Sequence, residues 1–181
     1  IGDLIYVSGT LGDASGGLSL IQDQIEMDQT DRTHLLRKFH RPEPRLELGQ
    51  TLAATDAITA MMDVSDGVAS DLRHICQRSE VSASLQASAI PLSDAFLNFC
   101  QKTKKDAIQL ALSGGEDYEL LFAIKPDRAK EIESLVQKSS APKITCIGQI
   151  TEGKDAIQIT HEDNSRSPLT VTGYDHFKST P

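Results

Sequence analysis

The pattern of apolar and polar positions predicts that strands and helices follow one another along the chain. Residues 4–7, Leu-Ile-Tyr-Val, form a β-branched and aromatic run that predicts a strand, followed by a glycine-rich turn and a helix. Residues 60–62, Ala-Met-Met, form a compact apolar run that predicts a buried strand ending at Asp63. After Gly67, apolar residues at positions 68, 72, 75 and 76 have the spacing of one face of an amphipathic helix.

The rest of the chain continues this alternation. The pattern predicts further strands at 81–85, 119–124, 143–150 and 156–159, and helices near 31–39, 46–55, 94–100 and 107–112. Pro126 predicts the start of another helix, with Ile132, Leu135 and Val136 facing inward, and residues 161–167 are predicted to form a polar loop. This alternation is typical of a layered α/β or α+β sandwich, and no linker-like segment divides the chain into two domains.

The composition narrows the possible classes of function. The chain has 181 residues, 39% of them hydrophobic and 24% charged, which is typical of a single globular domain. Its net charge of -8 argues against nucleic acid as a partner, because phosphate backbones favour clustered Lys and Arg. No apolar run approaches the roughly 20 residues that cross a bilayer, so we expect no membrane partner. The three cysteines form no close pair, which favours a cytoplasmic protein.

The strongest candidate for chemistry is the segment 63–67, Asp-Val-Ser-Asp-Gly, between the predicted buried strand and the amphipathic helix. Asp63 and Asp66 provide carboxylates that can converge at such a turn, and Mg²⁺ prefers oxygen ligands of this kind. Ser65 adds a hydroxyl and a backbone N–H, and the helix start adds free N–H groups that attract phosphate. A second interpretation of Asp66, given equal weight, is that its side chain caps the helix. Capping does not account for Asp63, because a carboxylate at the end of a buried strand needs a compensating cation.

A second acidic turn lies at residues 113–120, Ser-Gly-Gly-Glu-Asp-Tyr-Glu-Leu. Its two glycines let the backbone turn tightly near a ligand and present Glu116 and Asp117 just before a strand. On pattern alone, a helix end followed by a solvated acidic turn is slightly favoured.

Two further segments are weaker candidates. The glycine-rich turn at 9–13 lacks the Lys of a P-loop and the Rossmann spacing, so it is a weak phosphate site. Aromatic residues at 173–177 are equally consistent with closing over a flat ring and with packing into the core. Because no Ser-His-Asp or Cys-His constellation is present in the sequence, no catalytic nucleophile is predicted.

Five segments of the chain resemble the thiamine-monophosphate kinases, within the superfamily that includes aminoimidazole ribonucleotide synthetase and selenophosphate synthetase. They are residues 2–13, 41–45, 62–67, 113–122 and 173–177, and they span nearly the whole chain. The resemblance implies a three-layer α/β/α sandwich that corresponds to the carboxy-terminal domain of these enzymes. Because the chain begins at Ile1 just before a strand, we expect it to be a fragment of a longer protein.

The resemblance also implies a reaction and roles for individual residues. ATP would phosphorylate thiamine phosphate to thiamine diphosphate by direct transfer, without a phosphoenzyme. Asp63 and Asp66 match Mg²⁺ ligands, and Ser65 matches an ATP contact. Glu116 matches a contact to thiamine phosphate, and Tyr174 matches an aromatic position that packs on the thiamine moiety. An amino-terminal domain absent from this chain would supply further metal ligands and most of a homodimer interface, so we expect the chain alone to be inactive.

Two alternatives remain open. Another member of the superfamily, acting on a different substrate, would share the Asp-x-Ser-Asp-Gly loop because the common scaffold binds ATP and magnesium. A non-catalytic binding module could have kept the fold and lost the chemistry. That second alternative predicts decay of the acidic positions, whereas Asp63, Asp66 and Glu116 are all present.

Overall fold

Strands and helices alternate along residues 1–169, the part of the chain that this computed structural model describes. The strands are β1 Leu4–Ser8, β2 Ile58–Asp63, β3 Ser82–Gln86, β4 Leu120–Ile124, β5 Ile144–Thr151, β6 Ile157–Thr160 and β7 Arg166–Pro168. The helices are α1 Asp13–Gln22, α2 Gln29–His40, α3 Leu46–Ala53, α4 Val68–Ser79, α5 Asp94–Thr103, α6 Ala107–Ser113 and α7 Ala129–Gln137. Short 3₁₀ turns occur at Ala87–Ala89 and Pro126–Arg128.

The strands form one mixed sheet in the order β2-β4-β1-β5-β3-β6-β7. All neighbouring pairs are antiparallel except β3 and β6, which are parallel. Within residues 1–169, β2 is therefore an edge strand that pairs only with β4, where Asp63 lies opposite Leu120. This register puts the loop after β2 beside the loop before β4.

Apolar side chains pack on both faces of the sheet. On one face, α1, α2, α4, α5 and α6 cover the larger core, with Leu20, Leu35, Leu72, Phe96 and Leu112 buried in it. On the other face, α3 and α7 cover a smaller core around Tyr6 and Phe122, whose rings stack with centroids 5.9 Å apart. Two helical layers thus enclose the sheet, and the predicted three-layer α/β/α sandwich is confirmed.

Three local predictions were wrong. β2 is not buried: it lies at the sheet edge, its residues are half-buried or exposed, and Asp63 is exposed. Leu135 does not face inward with Ile132 and Val136, because its side chain is 40% exposed. The predicted polar loop at 161–167 contains the start of β7, which pairs with β6.

No helix within residues 1–169 has both the length and the apolar character required to cross a membrane.

Candidate functional site

Four of the five predicted site residues lie on two adjacent segments, residues 63–67 and 114–119, which we call the paired loops. Three backbone hydrogen bonds join them. The N–H groups of Glu116 and Tyr118 donate to the carbonyl oxygens of Ser65 and Val64, each over 2.9 Å, and the Val64 N–H donates to the Glu119 oxygen over 2.8 Å. These bonds extend the β2–β4 pairing into the loops, so the two acidic segments of the sequence form one structural unit.

Glycine is required where the paired loops touch. A Cβ atom at Gly115 would lie 2.3 Å from the Ser65 carbonyl oxygen, which is too close for any other residue. Gly67 has a φ of 96°, a left-handed conformation that L side chains rarely adopt, and a Cβ there would lie 3.0 Å from the Gly114 oxygen. The glycines therefore serve close backbone packing between the loops.

Burial alternates along the second loop. Glu116 and Tyr118 are exposed, whereas Asp117 and Glu119 are buried. The sequence interpretation treated Glu116 and Asp117 as a pair presented together, and the structure separates them onto opposite sides of the backbone. Glu116 and Tyr118 have positive φ angles of 68° and 49°, so turns of the backbone and not an extended strand produce this alternation, and no period in the sequence signals it.

Asp117 holds the second loop against the start of α1. Its carboxylate accepts hydrogen bonds from the Gly12 N–H over 2.7 Å and from the Ala14 N–H over 3.1 Å. Burial raises the pKa of Asp117 to about 7, against the two hydrogen bonds, which lower it. The N–H groups of Gly12 and Ala14 are thus occupied by a protein carboxylate, which argues against the glycine-rich turn as a phosphate cradle.

Glu119 forms a buried ion pair that the sequence interpretation missed. Its carboxylate accepts from Arg45 Nε and Nη2 over 2.7 and 2.6 Å and from Ser8 Oγ over 2.6 Å, and Lys38 Nζ lies 3.4 Å away. Glu119 is fully buried, and this two-point geometry is the strong form of an Arg–carboxylate contact. The segment 41–45 thereby gains a structural role, as the source of the arginine that neutralises the second loop.

Asp71, in the first turn of α4, holds the first loop. Its carboxylate accepts from the backbone N–H groups of Ser65 over 3.0 Å and of Asp66 over 3.2 Å. Burial is the main cause that raises the pKa of Asp71, and the nearby carboxylates of Asp66 and Asp63 raise it further. The prediction that the Ser65 N–H is available to a ligand was therefore wrong, and only the Ser65 hydroxyl remains.

The capping interpretation of Asp66 is also wrong. Gly67 occupies the N-cap position of α4, and no side chain accepts a capping hydrogen bond there. The Asp66 carboxylate is exposed at the loop surface. Capping therefore does not explain why an acidic residue stands at this position.

The predicted residues divide between two cavities. Ser65, Asp66 and Glu116 line one cavity of 350 Å³, together with residues of α1 and α2. Asp63 lines a separate, mostly apolar cavity of 580 Å³ between α3 and the edge of the sheet, beside Tyr118. Tyr174 lies outside the described residues.

The carboxylates of the paired loops fit a magnesium ion in type, and Mg²⁺ takes most of its remaining ligands from water and phosphate. Asp63 and Asp66 offer exposed oxygen ligands, whereas the third nearby carboxylate, Asp71, accepts backbone N–H groups. Across residues 1–169, no group of three or more His, Cys, Asp and Glu side chains could hold a metal ion. Because Asp63 is exposed, the argument that its buried charge requires a compensating cation no longer applies.

Comparison with known proteins shows which family the chain resembles. The family model described as "AIR synthase related protein, C-terminal domain" matches residues 1–160. The thiamine-monophosphate kinase of Haemophilus influenzae is 42% identical over 180 residues, which is 98% of this chain and 53% of that protein. The chain thus spans about half the length of the curated relatives it matches.

Two solved structures superpose on this chain. The crystal structure of thiamine-monophosphate kinase from Stenotrophomonas maltophilia K279a superposes with a TM-score of 0.79 at 38% identity, over 88% of this chain and 50% of that chain. A structure described as "AaThiL complexed with AMPPCP and TMP" superposes with a TM-score of 0.79 at 32% identity, over 98% of this chain and 52% of that chain.

Proposed function

This chain belongs to the AIR synthase related proteins, as their C-terminal domain, and on that premise we propose that it forms one wall of a kinase active site. The reaction is transfer of the γ-phosphoryl group of ATP to thiamine phosphate, which gives thiamine diphosphate and ADP. The observation that carries the proposal is the shared cavity of Ser65, Asp66 and Glu116, in a chain 42% identical to a thiamine-monophosphate kinase. A relative's structure with AMPPCP and TMP supports the choice of both substrates.

Each exposed residue of the paired loops has a role in this reaction. Asp63 and Asp66 would hold Mg²⁺, because they are exposed carboxylates on one short loop beside the cavities. The chemistry that Mg²⁺ supplies in phosphoryl transfer is charge neutralisation at the phosphate oxygens. The Ser65 hydroxyl contacts ATP, Glu116 contacts thiamine phosphate, and we propose that Tyr174 packs on the thiamine moiety.

The protein contributes positioning and not a covalent step. Phosphoryl transfer requires little covalent chemistry from an enzyme, because alignment and charge stabilisation lower most of the barrier. The rigid pairing of the two loops suits that task, since it fixes Asp66 and Glu116 relative to each other. The acceptor phosphate of thiamine phosphate is itself the nucleophile in this scheme.

The proposed active site extends beyond this chain. Asp63 and Asp66 line different cavities, and the chain covers 53% of its curated relative. We propose that an amino-terminal domain of the natural protein supplies further metal ligands and most of a homodimer interface. The three cysteines, of which Cys76 and Cys100 are buried, support a cytoplasmic location.

An activity assay tests the proposal. The natural full-length protein that contains this sequence, incubated with ATP, Mg²⁺ and thiamine phosphate, should produce thiamine diphosphate detectable by chromatography. The 181-residue chain alone should produce none. Absence of product from the full-length protein would refute the kinase proposal, and clear turnover by the isolated chain would refute the proposal of a divided site.

A further inference from the structure

The cavity lined by Ser65, Asp66 and Glu116 has a second, apolar wall. Leu18 of α1 and Phe39 of α2 line the same 350 Å³ space, opposite the paired loops. The cavity therefore combines carboxylates on one side with an aliphatic and an aromatic side chain on the other. Sequence reasoning assigned no role to either apolar residue.

The apolar wall is held in place by close helix packing. A Cβ atom at Gly17 would lie 2.8 Å from Phe39 Cβ and 2.4 Å from the Leu35 carbonyl oxygen, so α1 and α2 touch at this glycine. Phe39 is consequently fixed against α1 and stays half-buried. Leu18 is 38% exposed, so its side chain is accessible to a ligand in the cavity.

The lining of the cavity suits the organic part of the acceptor. Among the described residues that line it, none is Lys, Arg or His, and two are carboxylates. Phosphate groups would reach the carboxylate side only with Mg²⁺ at Asp66 to offset the like charge, whereas the thiazolium ring of thiamine phosphate is flat and permanently cationic. Flat cationic rings favour contact with aromatic and apolar faces close to carboxylates.

We propose that Leu18 and Phe39 form the wall on which the heteroaromatic part of thiamine phosphate packs, and that they set acceptor specificity. The inference rests on the proposed kinase function and extends it to a place for the acceptor. In this arrangement the thiazolium ring lies between the apolar wall and Glu116, and the phosphate of the acceptor points toward Asp66. The proposed roles of Ser65, Asp66 and Glu116 stay the same. The two apolar residues contribute by binding the acceptor.

Introducing a positive charge at the wall gives the sharpest test, because Leu18 is exposed and its replacement leaves the core intact. In the full-length protein, Leu18→Lys should raise the KM for thiamine phosphate about tenfold or more, with the KM for ATP changed less than about twofold. The matched control is Leu135→Lys, at a residue 40% exposed on α7, on the opposite face of the sheet. The control should leave both KM values at the wild-type level.

A second variant and a binding measurement separate the possible failures. Phe39→Ala should also raise the KM for thiamine phosphate about tenfold without changing the KM for ATP, and circular dichroism checks that it folds. Equal KM values for Leu18→Lys and Leu135→Lys, in an active enzyme, would overturn the inference and leave the kinase proposal standing. If the wild-type protein makes no thiamine diphosphate, the kinase proposal fails. Calorimetric binding of thiamine phosphate to wild type and Leu18→Lys then decides the inference alone, and equal affinities overturn it.

Discussion

The carboxylates on and beside the paired loops fall into an outer and an inner set that differ in burial and in hydrogen bonding. The outer set, Asp63, Asp66 and Glu116, is exposed, and none of the hydrogen bonds found within residues 1–169 uses these side chains. The inner set is Asp71, Asp117 and Glu119, and each of its members is buried and accepts two or more hydrogen bonds. The comparison teaches that an acidic motif can hold two kinds of residue, those that fix the loops and those that remain available to a ligand.

Physical chemistry explains why the inner set must be fully paired. A buried carboxylate loses its hydration, and only hydrogen bonds or an opposite charge compensate for that loss. Glu119 is compensated by Arg45, whereas Asp71 and Asp117 are compensated by backbone N–H groups. Variants of the inner set should therefore change stability, and variants of the outer set should change ligand binding.

The largest effect on stability is expected at Glu119. Glu119→Gln removes the nearer counter-charge of Arg45, whose side chain is 14% exposed, and leaves only the Glu43 carboxylate at 3.5 Å. Loss of one partner of a largely buried ion pair costs about 3 kcal/mol. Urea denaturation of the 181-residue chain measures the change. The control Glu131→Gln removes an exposed partner of Arg128 and should change the urea midpoint little. A Glu119→Gln variant as stable as wild type would break the comparison.

A pH-dependent effect is expected at Asp117. Its folded-state pKa is raised to about 7 from the ordinary value of 3.8, so between these pH values the folded chain keeps a proton that the unfolded chain has lost. The free energy of unfolding should accordingly fall as pH rises from about 4 to about 7. In Asp117→Asn this component should be absent, so the difference between wild type and variant should vary with pH across that window.

Urea titrations at several pH values measure this difference directly. A constant difference between wild type and Asp117→Asn from pH 4 to 7 would show that Asp117 does not titrate in this range. Asp94→Asn, at an exposed residue in the first turn of α5, is the matched control.

The smallest effect is expected at Ser65, which contacts the inner set through its backbone and offers its hydroxyl to a ligand. Its backbone N–H donates to Asp71, while its hydroxyl is free to contact a ligand. Ser65→Ala removes only the hydroxyl, so the urea midpoint should stay near the wild-type value. In the full-length protein the KM for ATP should rise about threefold to tenfold, the value of one hydrogen bond. An unchanged KM for ATP would remove Ser65 from the proposed nucleotide site.

Much of the fold followed from the sequence because periodicity is a local property. The i, i+4, i+7, i+8 spacing after Gly67 correctly predicted α4, and the run at 4–7 correctly predicted β1. The order of strands is not local, however. The apolar run at 60–62 is compatible with a central strand and with an edge strand. Among the described strands β2 pairs with β4 and with no other, and this pairing shows that β2 lies at the edge.

The site was harder to predict because its contacts are not local in the sequence. Asp117 meets Gly12 across 105 residues, and Glu119 meets Arg45 across 74, so no window of sequence contains both partners. Asp71 is closer, six residues after Ser65, and an acidic residue in the first turn of a helix is a recognisable acceptor for loop N–H groups. The sequence interpretation identified the acidic segments but did not distinguish their inner members from their outer ones.

The most direct test of this account is to neutralise the outer carboxylate Asp66 and measure stability and magnesium dependence in the same full-length protein. Asp66→Asn should leave the free energy of unfolding within about 0.5 kcal/mol of wild type, because the side chain is exposed. Turnover should fall steeply, and half-maximal activity should require more Mg²⁺. Wild-type turnover and magnesium dependence in Asp66→Asn, or a loss of stability as large as that of Glu119→Gln, would contradict the division between the two sets.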